Sequence, residues 1–202
     1  MKDEKQLVLF FSKGTKVDNT ILAAKLKEKF DILGDPIVIP FNVNNPEQPL
    51  IIFNQGKIKL TVGAIDVSII YDKELHKEVY DTIIEIVELF EYLDYSFERM
   101  GYISTFLHSK KDKERFIDKV FKDKSIVESE FNMSWYKKDL IDSVSVNVWQ
   151  KGLTDLINGI DFVSIYDINT PINEVYNITS EFLNDFLKKC DKYIAEKEKI
   201  VD

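Results

Sequence analysis

The chain reads as an α+β fold, with antiparallel sheets in two meander-like halves packed against long helices. Three observations predict it. Residues 64–106 run as strand, long helix and strand, the most strongly patterned stretch of the sequence. The other strand-like runs follow one another across short turns, as antiparallel neighbours do. Gly (7) and Pro (5) are scarce, which favours long regular elements over low-complexity linkers. A chain of 202 residues buries about 70% of its unfolded surface and needs no disulfide or metal staple. The expected organisation is a single domain over 1–202, divisible into related halves 1–108 and 109–202. The halves share a logic of sheet plus helix but no sequence repeat.

Taken in order, QLVLFF at residues 6–11 is β-branched and aromatic enough for a buried strand, ended by Ser12-Lys13-Gly14. Asp18 or Asn19 caps a helix running to about Phe30, with Ile21, Leu22, Lys25, Leu26 and Phe30 as its inner face. Gly34-Asp35-Pro36 breaks the chain, and IVIPF follows as a short strand whose Pro40 suggests a sheet edge. NVNNPEQP at 42–49 is a loop. PLIIF, the turn Asn54-Gln55-Gly56 and KIKLTV make a hairpin, with Gly56 expected at positive φ. Gly63 marks a bulge or bend before AIDVSIIY, whose Ile65, Val67, Ile69 and Tyr71 alternate.

Asp72 is an N-cap for the long helix, and Glu74 and Glu78 suit its positive end. Val79, Ile83, Ile86, Val87, Phe90 and Leu93 form a stripe at helical spacing. His76, in the first turns, reads as a surface or capping group. The strand after the helix is expected to alternate, with Tyr95, Phe97, Arg99 and Gly101 on one face and Met100, Tyr102 and Phe106 on the other. Arg99 in such aromatic company must reach solvent, a carboxylate or a ligand.

Residues 110–124 read as a helix with Phe116, Ile117, Val120 and Phe121 inward and a local charge of +3 outward. A second sheet is expected from IVESEFNMSWY, IDSVSVNVWQ and GIDFVSIYDI, with a helical turn in KGLTDLING. Thr170-Pro171 opens a final helix whose stripe is Val175, Ile178, Phe182, Phe186, Cys190 and Tyr193.

The function classes narrow by exclusion. The formal charge of −8 works against nucleic acid and anionic membranes. Acidic residues are too interspersed with Lys to mimic DNA. No apolar run is long enough for a membrane helix or signal peptide, so a cytoplasmic location is expected. The single cysteine, Cys190, reads as a buried apolar residue. No metal signature, phosphate loop or catalytic motif appears, so no cofactor, metal or catalytic residue is assigned. Carboxylates such as Glu128, Glu130, Asp161 and Asp167 occur at the density expected by chance.

Residues 57–106 run KIKLTV, IDVSIIY, a helix ending LFEYLDYSF, then ERMGYISTF. This order resembles a sporadically distributed bacterial family of uncharacterised proteins with a strand motif Arg-x-Gly-Leu-Arg-Tyr after a comparable hairpin and helix. Arg99 and Gly101 match its first Arg and its Gly. Tyr102 stands where that family has Leu, and Ile103 where it has the second Arg. The final helix after IDFVSIYDIN is similar in kind. The resemblance implies an α+β fold and, since such families often sit in mobile elements, a phage–host or defence role.

Three functions follow as expectations. The first is a non-enzymatic interaction protein, an inhibitor or accessory that binds a host or defence protein, with the C-terminal helix or an edge strand offering a homodimer surface. The second is a binder of a small anionic ligand in a sheet–helix pocket, with Arg99 as anchor and Tyr95 and Tyr102 beside it. The third is a metal-dependent nuclease built on scattered carboxylates.

Overall fold

The computed structural model describes residues 3–12, 17–109, 132–155 and 160–198, with Lys111, Lys113–Arg115 and Asp118 between them. Its elements are β1 (Glu4–Phe11), α1 (Asn19–Lys29), β2 (Pro36–Val38), β3 (Ile51–Phe53), β4 (Ile58–Val62), β5 (Asp66–Asp72), α2 (His76–Tyr92) and β6 (Phe97–His108). They continue as β7 (Asn132–Ile141), β8 (Val144–Asp155), β9 (Ile160–Asn169) and α3 (Ser180–Glu198). The fold is α+β, and all nine described strands lie in one antiparallel sheet, β2-β3-β4-β5-β1-β6-β9-β8-β7.

This corrects the expected second sheet. The reason is β1, which pairs with β5 on one side and β6 on the other, while β6 pairs in turn with β9. The meander β9-β8-β7 therefore extends the first sheet. β1 is also not buried on both faces: Leu7, Leu9 and Phe11 point inward and their neighbours are half-exposed.

The helices bring one apolar layer to that inner face. The α2 stripe of Val79, Ile83, Ile86, Val87 and Phe90 shares a core with Leu183, Phe186, Leu187, Cys190 and Ile194 of α3. The two helices also meet through Tyr80, whose hydroxyl donates to the Asn184 carbonyl at 2.7 Å.

Local signals explain most boundaries. Asp18 caps α1 by accepting from the Thr20 and Ile21 amides. Asp72 caps the 3-10 turn that leads into α2, accepting from the Glu74 amide at 3.0 Å. α2 ends in a Schellman arrangement: Tyr95 N–H donates to Phe90 O, Asp94 N–H donates to Glu91 O, and Asp94 takes φ 67. Residues 42–49 carry neither strand nor helix. A two-residue turn, Asp142-Ser143, joins β7 to β8 with φ of 50 and 68, the geometry of a type I′ hairpin.

Several expectations are revised. Gly56 does not adopt positive φ; Gly34 does, at 75. Gly56 is needed for close approach instead, because a Cβ there would lie 1.8 Å from the Ile32 carbonyl oxygen. Ile65 sits in the turn before β5 and is 62% exposed. A register shift between Phe10 and Phe11 sets Phe10 opposite Arg99 but Phe11 opposite Phe97. The extra residue, Glu98, turns Phe97 onto the inner face with Met100 and Tyr102, away from Arg99. Lys151–Asp155 continue β8 in place of a helical turn. The final helix begins at Ser180 and not near Pro171. Thr170 serves β6 by accepting the Met100 amide, and Thr179 caps α3 by accepting from Phe182. Val175 is consequently 72% exposed. Most of the helix expected over 110–124 lies outside the described residues.

Candidate functional site

The residues proposed from sequence do not converge. Tyr102 pairs with inward Leu7, whereas Arg99 pairs with outward Phe10 three residues on, so the two side chains leave opposite faces of the sheet. Arg99 lies over the Phe10 ring at 5.4 Å and meets Glu98 loosely at 3.6 Å. Tyr95 is packed against Phe11 and Phe90 at the far end of β6. Tyr102 alone joins a polar cluster.

That cluster grows from one unusual strand position. Lys5 occupies the inward set of β1 with Leu7, Leu9 and Phe11, and is 7% exposed. An ammonium so buried requires a partner. Asp191 of α3 supplies it: Lys5 Nζ donates to Oδ1 at 2.6 Å, and the Tyr102 hydroxyl donates to the same oxygen at 2.7 Å. His76 Nε2 reaches the other oxygen at 3.0 Å. The second imidazole nitrogen, Nδ1, is 3.0 Å from the Tyr71 hydroxyl. His76 is therefore a half-buried member of this network and not a surface group.

The environment sets the protonation of the cluster. Burial pushes the Asp191 carboxyl up, but the hydrogen bond from His76, the Lys5 charge and the bonds from Lys5 and Tyr102 together outweigh it and hold it below the usual carboxylate range. Burial raises the Tyr71 and Tyr102 hydroxyls, and the Asp191 charge adds to this in both. Burial also pushes up the Cys190 thiol, which suits an inert core residue.

Beside the cluster opens a cleft of about 580 Å3. Lys5, Ser104 and Phe106 form its floor. Lys73 and His76 stand on one wall, and Asp191, Ile194, Ala195 and Glu198 of α3 on the other. Register places Ser104 directly beside Lys5. Ser104 is 1% exposed, and its Oγ has no hydrogen-bond partner among the described residues. Lys73 Nζ lies over the Phe106 ring at 3.6 Å.

At the far end, His108 Nε2 is 2.7 Å from Ser164 Oγ and 3.6 Å from Glu198, while Ser164 donates to Glu198 at 3.0 Å. The residue types suggest a nucleophilic triad, but the geometry does not. Hydroxyl and carboxylate meet the same imidazole nitrogen, whereas a relay needs them on opposite nitrogens. A smaller hollow of about 210 Å3 near Trp135 is self-satisfied. Trp135 Nε1 donates to Gln150, and Gln150 donates to the Tyr166 hydroxyl.

Sequence reasoning missed Lys5, His76, Ser104 and Asp191. Two signals were present: a lysine in phase with Leu7 and Leu9, and an aspartate spaced between Leu187 and Ile194 on the inward stripe of α3. Among the described residues, no group of three or more His, Cys, Asp and Glu is placed to hold a metal ion. No described helix is long and apolar enough to cross a membrane. No protein-family model matches the chain, and no curated protein matches it in sequence.

Proposed function

We propose that the protein binds a small molecule in the cleft between the sheet, the start of α2 and the second half of α3. Ser104 carries this reading. A buried hydroxyl without a partner costs about 1–3 kcal/mol, and folded proteins seldom leave one in place. On the floor of an open cleft it is a group waiting for a ligand atom. The cleft volume lies within the range of small-molecule sites, and its polar and charged side chains stand around an apolar patch of Phe106, Ile194 and Ala195. Asp191 already accepts three hydrogen bonds, and burial raises the two phenols and keeps them protonated. These groups suit recognition better than general acid–base work.

Ser104→Ala tests this. Removing the unpaired oxygen should raise the stability of the free protein by about 1 kcal/mol and weaken binding of any cleft ligand found in a metabolite panel. A variant that is less stable than wild type, together with a panel that stabilises nothing, would sink the reading.

One observation favours a second reading, a protein partner. β7 is a ten-residue edge strand, nearly all exposed, with one row of backbone groups unpaired by other described strands. Such an edge accepts a strand from another chain or from a second copy. Mass measurement across a concentration series, with a proline introduced at Lys138, tests it. A monomer at all concentrations would argue against self-pairing.

A further inference from the structure

We infer that the cleft takes a small carboxylic acid with an apolar body, and takes it up together with one proton on His76. This rests on the ligand-binding reading above. The charges carry it. Asp191 is one carboxylate serving two basic groups, with Lys5 on Oδ1 and His76 on Oδ2. It balances the Lys5 ammonium or an imidazolium, but not both. A second anion arriving beside Lys5 changes the sum: two anions then face two cations, and a proton on His76 completes the set.

The other groups around His76 leave that sum unaltered. Tyr71 touches Nδ1, and Tyr80 presents its ring edge-on at 5.2 Å. Tyr102 reaches the imidazole through Asp191 on one side and through the Tyr71 hydroxyl on the other. All three phenols are raised and stay neutral. Lys73 has Asp3 at 3.6 Å, and Glu198 is held by Ser164 and His108.

The head group has a prepared seat. Lys5 and the unpartnered Ser104 Oγ lie side by side on neighbouring strands. Next along the same face of β6 is Phe106, and Ile194 and Ala195 of α3 stand opposite. These contact carbon better than further charge, which selects an acid with an apolar body over a bare oxyanion.

Isothermal titration of the full chain with hexanoate, benzoate and inorganic phosphate tests this, near neutral pH in two buffers of different ionisation enthalpy. The carboxylates should bind about tenfold or more tighter than phosphate, the worth of a buried apolar contact. Their binding should be accompanied by net proton uptake and so weaken as pH rises. His76→Gln keeps a donor for Asp191 but accepts no proton, so its binding should show no uptake. Phosphate binding as tight as the carboxylates overturns the ligand class. Carboxylate binding without proton uptake, or with the same uptake in His76→Gln, overturns the role of His76. Absence of binding by every probe overturns the inference. It removes the cleft as a ligand site as well if Ser104→Ala also fails to stabilise the free protein.

Discussion

Replacing Asp191 by Asn should destabilise the protein by about 3 kcal/mol. The substitution preserves volume and one acceptor but removes the charge that faces Lys5. The Lys5 side chain is 8% exposed and that of Asp191 24%, so little water is at hand to take over. Breaking a buried pair from one side costs about 3–5 kcal/mol, and the retained amide oxygen argues for the lower end. In a protein of this size that corresponds to a fall in Tm of about 6–12 °C. Urea denaturation should show the same loss as a lower midpoint at unchanged slope.

The same substitution carries a pH signature. The folded-state pKa of Asp191 lies below its ordinary value. Its contribution is therefore complete above the unfolded carboxylate range and is lost as pH falls through the folded value. The gap between wild type and Asp191→Asn should close in acid, as pH falls through the Asp191 value. Adding Lys5→Met to Asp191→Asn removes the orphaned cation, and the double variant should recover to within about 1 kcal/mol of wild type. A loss below about 1 kcal/mol in the single variant, or simple additivity in the double, would refute the idea that this pair is buried and coupled.

Other positions give further tests. Gly56→Ala should cost about 3 kcal/mol or more, seen as a large drop in the circular-dichroism melt, because the new Cβ meets the backbone at Ile32. Ser143→Gly should raise Tm by about 2–4 °C, since a left-handed serine costs about 1 kcal/mol relative to glycine. Arg99→Ala should lose about 1 kcal/mol of packing and cation–π contact with Phe10, measured by urea unfolding. It should leave ligand binding in the cleft unchanged, because Arg99 leaves the opposite face of the sheet.

Periodicity made much of the fold legible. The α2 stripe and the hairpin β3–β4 follow directly from spacing, and Asp18 and Asp72 announce their caps. What periodicity could not express was the partner of each strand. QLVLFF has the same local pattern at a sheet edge as at its centre, yet β1 lies at the centre and merges two meanders into one sheet. The bulge at Glu98 was hidden for a similar reason. Alternation assigns Phe97 and Arg99 to one face, and a single extra residue against β1 separates them. Thr170-Pro171 resembles a helix start, but Thr170 is drawn instead to the Met100 amide, a contact across the sheet that nothing local foretells.

The site was less legible than the fold because it depends on pairings across the whole chain. Lys5 and Asp191 are 186 residues apart and each, read alone, is one more charge in a sequence full of them. Arg99 drew attention because its neighbours are aromatic, yet its position on the outer face gives it Phe10 and Glu98, with its Nε buried and unpartnered among the described residues. Lys5 has apolar neighbours at every second residue, and that phase sends it inward. The useful signal was therefore not a charge among aromatics but a charge in register with a buried stripe. Asp191 obeys the same rule on a helix, four residues after Leu187 and three before Ile194. Two opposite charges, each in phase with the inward face of its own element, predict one another. In this chain they meet in a cleft, beside a serine whose oxygen has no partner among the described residues, and that cleft on the inner face, not the outer face around Arg99, is where a ligand should be sought.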